Sequence, residues 1–188
     1  MSEPDDQAGN EDQLERGQPP AFEREALIPT AAGMARLGER LAGLLAAGDL
    51  VVLSGPLGAG KTTLAQGIGA GLQVRGPVTS PTFVIARVHP SLSGGPDLVH
   101  ADAYRLGSRG EVEDLDLDAD LATSVTVVEW GEGLVEGLAD SFLSIGIEMK
   151  LSSPGGDADA DQARAVRVTG WGRRWLGAAD AAQQALSG

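Results

Sequence analysis

Residues Gly55-Pro56-Leu57-Gly58-Ala59-Gly60-Lys61-Thr62 satisfy the pattern G-x-x-x-x-G-K-[ST]. A polyphosphate needs several donors converging on a small volume. Glycines let the chain turn so that successive backbone N–H groups face inward with no Cβ in the way, and Gly58 and Gly60 supply that freedom. A helix starting at Lys61 adds its unpaired N–H groups and its dipole. Lys61 then reaches the outer phosphates and Thr62 ligates magnesium, so the expected ligand is a nucleotide with Mg²⁺. Such a loop does not select a reaction, because kinases, GTPases, helicases and passive switches share it.

Two carboxylates stand where they can complete such a site. Glu129 ends the apolar run Val125-Thr126-Val127-Val128, a position suited to an acid beside the nucleotide's metal; capping or pairing at a strand end fits it too. Asp102 follows Leu98-Val99, where it can hold metal-bound water or orient the attacking water, or pair with Arg105. Ser80-Pro81-Thr82 reads as a mobile segment reaching the γ-phosphate or its magnesium, with Thr82 ahead of Ser80, or as a Pro-containing turn into a strand. Trp130 suits either the site or the core. His100 reads as structural, and Tyr104 and Arg105 as a partner surface or a local packed cluster.

These residues need elements to place them. Thr30 is an N-cap candidate for an amphipathic helix carrying Met34, Leu37, Leu41, Leu44 and Leu45, stopped at Gly48. Leu50-Val51-Val52-Leu53 is the continuous apolar run of a parallel strand buried on both faces. A helix over Lys61 to about Leu72 follows, then strands at Phe83–Val88 and Asp97–Ala101 joined by a hairpin turn over Pro90–Pro96. Glu111–Leu121 is expected to hold one or two short helices. Phe142–Met149 and Ala165–Thr169 read as strands flanking a polar loop, Ser152–Asp161, and Trp171–Leu186 as a short helix or a loose end. The acidic residues between Glu111 and Asp120 lack the glycine and closing glutamate of a calcium loop at the required offsets, and read as a solvated or docking face.

Composition sets the frame. The chain has 188 residues, enough for one domain with a proper core. With 4% aromatics, that core must come from Leu, Val, Ile and Ala, which suits an α/β fold. It contains no cysteine and only two histidines, which excludes disulfides, Cys-based zinc sites and His-rich metal clusters. No apolar run approaches the roughly 20 residues of a membrane span, and Met1–Asp12 is acidic where a signal peptide is basic and then apolar, so a cytoplasmic protein is expected. A net charge of -13 opposes direct grip on DNA or tRNA, so any RNA connection is expected to be indirect. Residues 1–24 read as a disordered acidic tail, 25–175 as the folded domain and 176–188 as a tail or short helix.

Four clusters occur in order: L-G-A-G-K-T-T in the loop, Ser80-Pro81-Thr82-Phe83, His100-Ala101-Asp102-Ala103-Tyr104-Arg105-Leu106, and Val127-Val128-Glu129-Trp130. As a set, from about Thr30 to Ser144, they resemble the TsaE family. The resemblance implies an α/β P-loop NTPase-like three-layer domain with a central, mostly parallel sheet and an antiparallel hairpin. It also implies a slow, Mg²⁺-dependent ATPase that supports threonylcarbamoyladenosine modification of tRNA beside the anticodon, together with TsaD and TsaB proteins. Nucleotide contacts are implied for Thr30, Gly55, Leu57, Gly58, Ala59, Gly60, Lys61, Thr62, Thr63 and Thr82. Metal contacts are implied for Thr62 and Glu129, and catalytic roles for Lys61, Asp102 and Glu129. An ordinary N-cap accounts for Thr30 equally well. Gly131 departs from the family pattern, which has proline there. Two other readings remain: a small-molecule kinase with Asp102 as base, for which no arginine-rich lid is evident, and a nucleotide-sensing switch governed by occupancy alone. Adenine selectivity comes from the resemblance, since the N-K-x-D set of guanine-binding GTPases is absent.

Overall fold

The computed structural model describes residues 19–81, 86–106, 111, 121–150 and 163–188. Seven strands form one sheet: β1 (Phe22–Ile28), β2 (Leu50–Ser54), β3 (Ala86–His89), β4 (Asp97–Asp102), β5 (Ser124–Glu129), β6 (Phe142–Met149) and β7 (Arg164–Trp171). Their spatial order is β1-β7-β6-β2-β5-β4-β3. The middle four, β6-β2-β5-β4, are parallel, and β3, β7 and β1 join antiparallel. The mixed α/β class, the mostly parallel centre and the β3–β4 hairpin are as expected from the sequence. The antiparallel extension β6-β7-β1 is additional.

Three helices lie on one face: α1 (Ala31–Ala42), α2 (Lys61–Gly71) and α3 (Ala179–Ser187). Their apolar residues meet Val51, Leu53, Val125, Val127, Ile145 and Val168 in the larger core. The smaller core, on the opposite face, joins Leu50, Val52, Val99 and Val128 to Ala103 and Val135, with Leu134 and Leu138 packed against it. No helix of four or more residues covers that face among the described residues, and the stretch expected to supply short helices, 111–121, lies almost wholly outside them. The described residues show a helical layer and the sheet, and the segment expected to supply the third layer lies almost wholly outside them.

The two long helices touch through backbone. A Cβ on Gly67 of α2 would lie 2.1 Å from the Ala35 carbonyl oxygen, and one on Gly38 of α1 would lie 2.4 Å from the Leu64 carbonyl oxygen. Only hydrogen fits there, so these glycines set the distance between α1 and α2.

Two boundaries differ from expectation, and the C-terminal segment takes the helical one of its two readings. α1 ends at Ala42, where Gly43 donates its N–H to Arg40 and Leu41 carbonyls; Leu44 and Leu45 extend the apolar pattern only in the following turn. β1 starts at Phe22, inside the segment assigned to the tail, because all seven of its residues pair with β7. The C-terminal residues form α3, which buries Ala182, Ala185 and Leu186 against the larger core. The loop Ser152–Asp161 and the first half of the expected Phe83–Val88 strand lie outside the described residues, and the second half falls in β3. No helix of the described residues is long and apolar enough to cross a membrane.

Candidate active site

Three strand ends and one helix start converge. β2, β4 and β5 run parallel, so their carboxyl ends lie on one edge of the sheet, where parallel α/β sheets place ligands. The Gly55–Gly60 loop leaves β2 there, Asp102 ends β4 and Glu129 ends β5. Asp102 and Glu129 are direct partners in the β4–β5 register and therefore share a face.

The loop holds its shape through two special positions. Gly55 has φ +135, and a Cβ there would lie 2.3 Å from the Ile147 carbonyl oxygen; Gly60, with φ +109, turns the chain into α2. Ala59 is fully buried, whereas Leu57 is 85% exposed, and Gly58 faces open space. Ala59 anchors the loop, and Leu57 makes no part of the core.

Lys61 opens α2 and is 4% exposed. Its ammonium donates to the carbonyl oxygens of Gly55 (2.7 Å) and Pro56 (3.0 Å) and lies 3.6 Å from the centroid of the Trp130 ring. Burial pushes its pKa below the ordinary 10.5, while the negative charges of Glu129 and Asp102 pull the other way. Trp130 has φ 62, unusual for a bulky residue, and its backbone N–H is held by the Leu53 carbonyl at 2.9 Å. That strained conformation turns the indole over Lys61, and Tyr104 packs against its ring at 5.1 Å. The site option for Trp130 is thus the one the geometry favours.

The Thr62 hydroxyl lies 2.9 Å from Oε1 and 3.1 Å from Oε2 of Glu129. His100 Nε2 lies 2.9 Å from the same Oε1. Asp102 Oδ1 accepts the backbone N–H of Tyr104 at 2.9 Å, which fixes the carboxylate at the strand end. Thr63 is half-buried on the first turn of α2. Thr30 is an N-cap: its Oγ1 accepts the Gly33 N–H at 2.9 Å, on the helix that packs beside α2. Ser80 is exposed, and Thr82 lies outside the described residues.

The structure therefore brings Lys61, Thr62, Asp102 and Glu129 together, as the sequence suggested, and adds His100, read from sequence as structural. Its signal was present in the chain. A histidine on a buried strand, two residues before an acid, shares that acid's face of the sheet.

A protein-family model described as "Threonylcarbamoyl adenosine biosynthesis protein TsaE" matches residues 28–154. The chain belongs to the TsaE family. It is 64% identical over 143 residues to the tRNA threonylcarbamoyladenosine biosynthesis protein TsaE of Streptomyces coelicolor, covering 76% of this chain and 93% of that one. It is 52% identical over 130 residues to the protein of the same name from Mycobacterium bovis, covering 65% of this chain and 77% of that one. Among solved structures, Bacillus subtilis YdiB matches with a TM-score of 0.64 and 26% identity, over 88% of this chain and 95% of that one. The family model spans residues 28–154, so β7, α3 and all of β1 but Ile28 lie outside the matched residues, whereas the whole candidate site lies within them.

Proposed function

We propose that this protein is a magnesium-dependent ATPase with a P-loop NTPase fold, acting in threonylcarbamoyladenosine modification of tRNA, the process named for its TsaE relatives. The observation that carries the reading is the Thr62–Glu129 contact: a hydroxyl on the first turn of a helix, following a G-x-x-x-x-G-K-T loop, faces a carboxylate at the end of the neighbouring buried strand. That pairing suits one divalent cation beside a bound polyphosphate.

The residues present fit such a ligand. The ammonium of Lys61 is satisfied by two loop carbonyls, a neutral arrangement that phosphate oxygens can replace with stronger, charge-assisted bonds. The described residues contain no cluster of three or more His, Asp or Glu able to cage a metal alone. A cation held by Thr62 and Glu129 would complete its shell with phosphate oxygens and water, as magnesium does in nucleotide sites. When bound, Mg²⁺ supplies neutralisation of the charge that develops on the phosphates.

The chain's own groups do the rest. The loop N–H groups and the α2 N-terminus bind the phosphates. Lys61 pairs with their outer oxygens, Asp102 orients the attacking water, and Trp130 with Tyr104 walls the site beside Lys61. With a net charge of -13 the chain is a poor direct ligand for tRNA, which fits an indirect connection. The resemblance to the TsaE family supplies TsaD and TsaB as the partners, in the cytoplasm, whose complex its turnover governs.

The test is the ATP hydrolysis rate with and without a TsaD–TsaB complex, for wild type, Lys61→Ala and Glu129→Ala. The reading expects stimulation of the wild type by the partners and loss in both variants. Normal hydrolysis by the two variants in the presence of both partners would overturn it.

A further inference from the structure

His100 is fully buried on β4, yet its imidazole has a single hydrogen-bond partner among the described residues, Oε1 of Glu129 at 2.9 Å. Nδ1 is buried with no partner. An apolar side chain of similar volume would fill the same space and leave no polar atom stranded, so packing alone does not account for an imidazole here. The bond to Glu129 does. Of the two tautomers, the one protonated on Nε2 donates to the carboxylate and leaves only a lone pair at Nδ1; the other would strand an N–H and face two acceptors towards each other.

The consequence lies in Glu129. Its Oε1 receives both the imidazole and the Thr62 hydroxyl, each at 2.9 Å, while Oε2 has only a longer contact, 3.1 Å, to that same hydroxyl. His100 thus holds Oε1 from the strand side, and both oxygens stay within reach of the Thr62 hydroxyl on the first turn of α2, with Oε2 the less engaged of the two. The hold is rigid because β4 and β5 are adjacent parallel strands, with Ala101 opposite Val128 and Asp102 opposite Glu129, and because the Ala103 N–H also bonds the Glu129 carbonyl at 2.8 Å.

We propose that His100 is a positioning residue that fixes Glu129 as a ligand and thereby sets the affinity of the site for a divalent cation. The proposal rests on the magnesium-nucleotide reading given above. Groups that orient a ligating side chain are typically worth about 10- to 100-fold in metal affinity. His100 itself touches neither cation nor nucleotide, so its loss acts through Glu129 and spares contacts made by the loop.

The experiment measures binding rather than turnover. A methylanthraniloyl-labelled ATP is titrated onto the full chain in EDTA, and Mg²⁺ is then titrated into the complex, for wild type, His100→Gln and His100→Met. Gln and Met are matched in length, but only Gln carries a terminal N–H. The expected result is a Mg²⁺ midpoint close to wild type for His100→Gln and about 10-fold or more higher for His100→Met, with nucleotide affinity in EDTA equal in all three. Equal midpoints in the two variants, whether both normal or both raised, overturn the proposal and make His100 a packing residue. A wild type that binds the nucleotide with no dependence on Mg²⁺ overturns instead the magnesium reading beneath it.

Discussion

The ammonium of Lys61 lies 3.6 Å from the centre of the Trp130 ring while donating to the carbonyls of Gly55 and Pro56, so the loop binds its own lysine. A buried cation satisfied by neutral oxygens and an aromatic face is less well stabilised than one paired with anions. The arrangement holds the buried ammonium in place at some cost to the protein.

That cost has a pH signature. Burial lowers the folded-state pKa of Lys61 below the ordinary 10.5, so in the window between the two values the unfolded chain holds more protons than the folded one. The destabilisation from burying the ammonium is full below that window and disappears as pH rises through it. Lys61→Met should therefore raise the melting temperature of the nucleotide-free protein at pH 7, with the difference from wild type shrinking as pH approaches 10.5. Thermal melts of both proteins across that range check this, and an unchanged or lowered melting temperature at pH 7 contradicts it.

Glu129→Gln keeps the size of the side chain and an acceptor for Thr62, and removes the charge that suits a cation. Hydrolysis should fall by about 100-fold or more, the scale of several kcal/mol of charge stabilisation, with the fold retained. Steady-state rates with circular dichroism as control decide it; a loss under about threefold would place the metal elsewhere.

Gly67→Val places a branched side chain where a Cβ would already sit 2.1 Å from the Ala35 carbonyl oxygen. Backbone cannot yield there as a flexible side chain can, so α1 and α2 must separate, at about 3 kcal/mol or more. Chemical denaturation should show the loss. ATP affinity should fall with it, because α2 carries Lys61 and Thr62 on its first turn.

Asp49 is 4% exposed and binds Arg174 through both carboxylate oxygens, at 3.0 and 2.9 Å, while also accepting the Ala46 N–H at 2.8 Å. Arg174 reaches the Leu44 carbonyl as well, tying the C-terminal segment to the turn between α1 and β2. Asp49→Ala should destabilise the protein by about 1–3 kcal/mol, mainly through the stranded Ala46 N–H and the lost anchor of Arg174, and should leave ATP affinity unaltered because the network is remote from Lys61. Denaturation midpoints and nucleotide titration together check both halves.

Much of the site was legible because its chemistry is local in sequence. The eight residues from Gly55 to Thr62 carry loop, glycines, lysine and hydroxyl in one stretch, and the apolar runs Leu50–Leu53 and Val125–Val128 are buried on both faces, which marks central parallel strands. What the sequence hid depends on distant partners. Phe22–Ile28 carries two glutamates and an arginine and has little strand character of its own; it is a strand because β7 offers seven pairing positions and Arg167 lies within ion-pair distance of Glu23 and Glu25. α3 has a short apolar stripe that means little until α1 and β1 present a surface to it, with Arg40 Nε on the Ala185 carbonyl. His100 reads as structural in the sequence for the same reason: its contact with Glu129 spans 29 residues of sequence and forms only once β4 and β5 lie side by side.

The central claim is that the Gly55–Thr62 loop binds ATP with magnesium at Thr62 and Glu129. Calorimetric titration of ATP, with and without Mg²⁺, into wild type and Lys61→Ala tests it most directly. The account predicts binding to wild type that tightens with Mg²⁺, and affinity at least about tenfold weaker in the variant, the loss of one charge-assisted contact. Equal affinity of Lys61→Ala and wild type, in the presence of Mg²⁺, would contradict it.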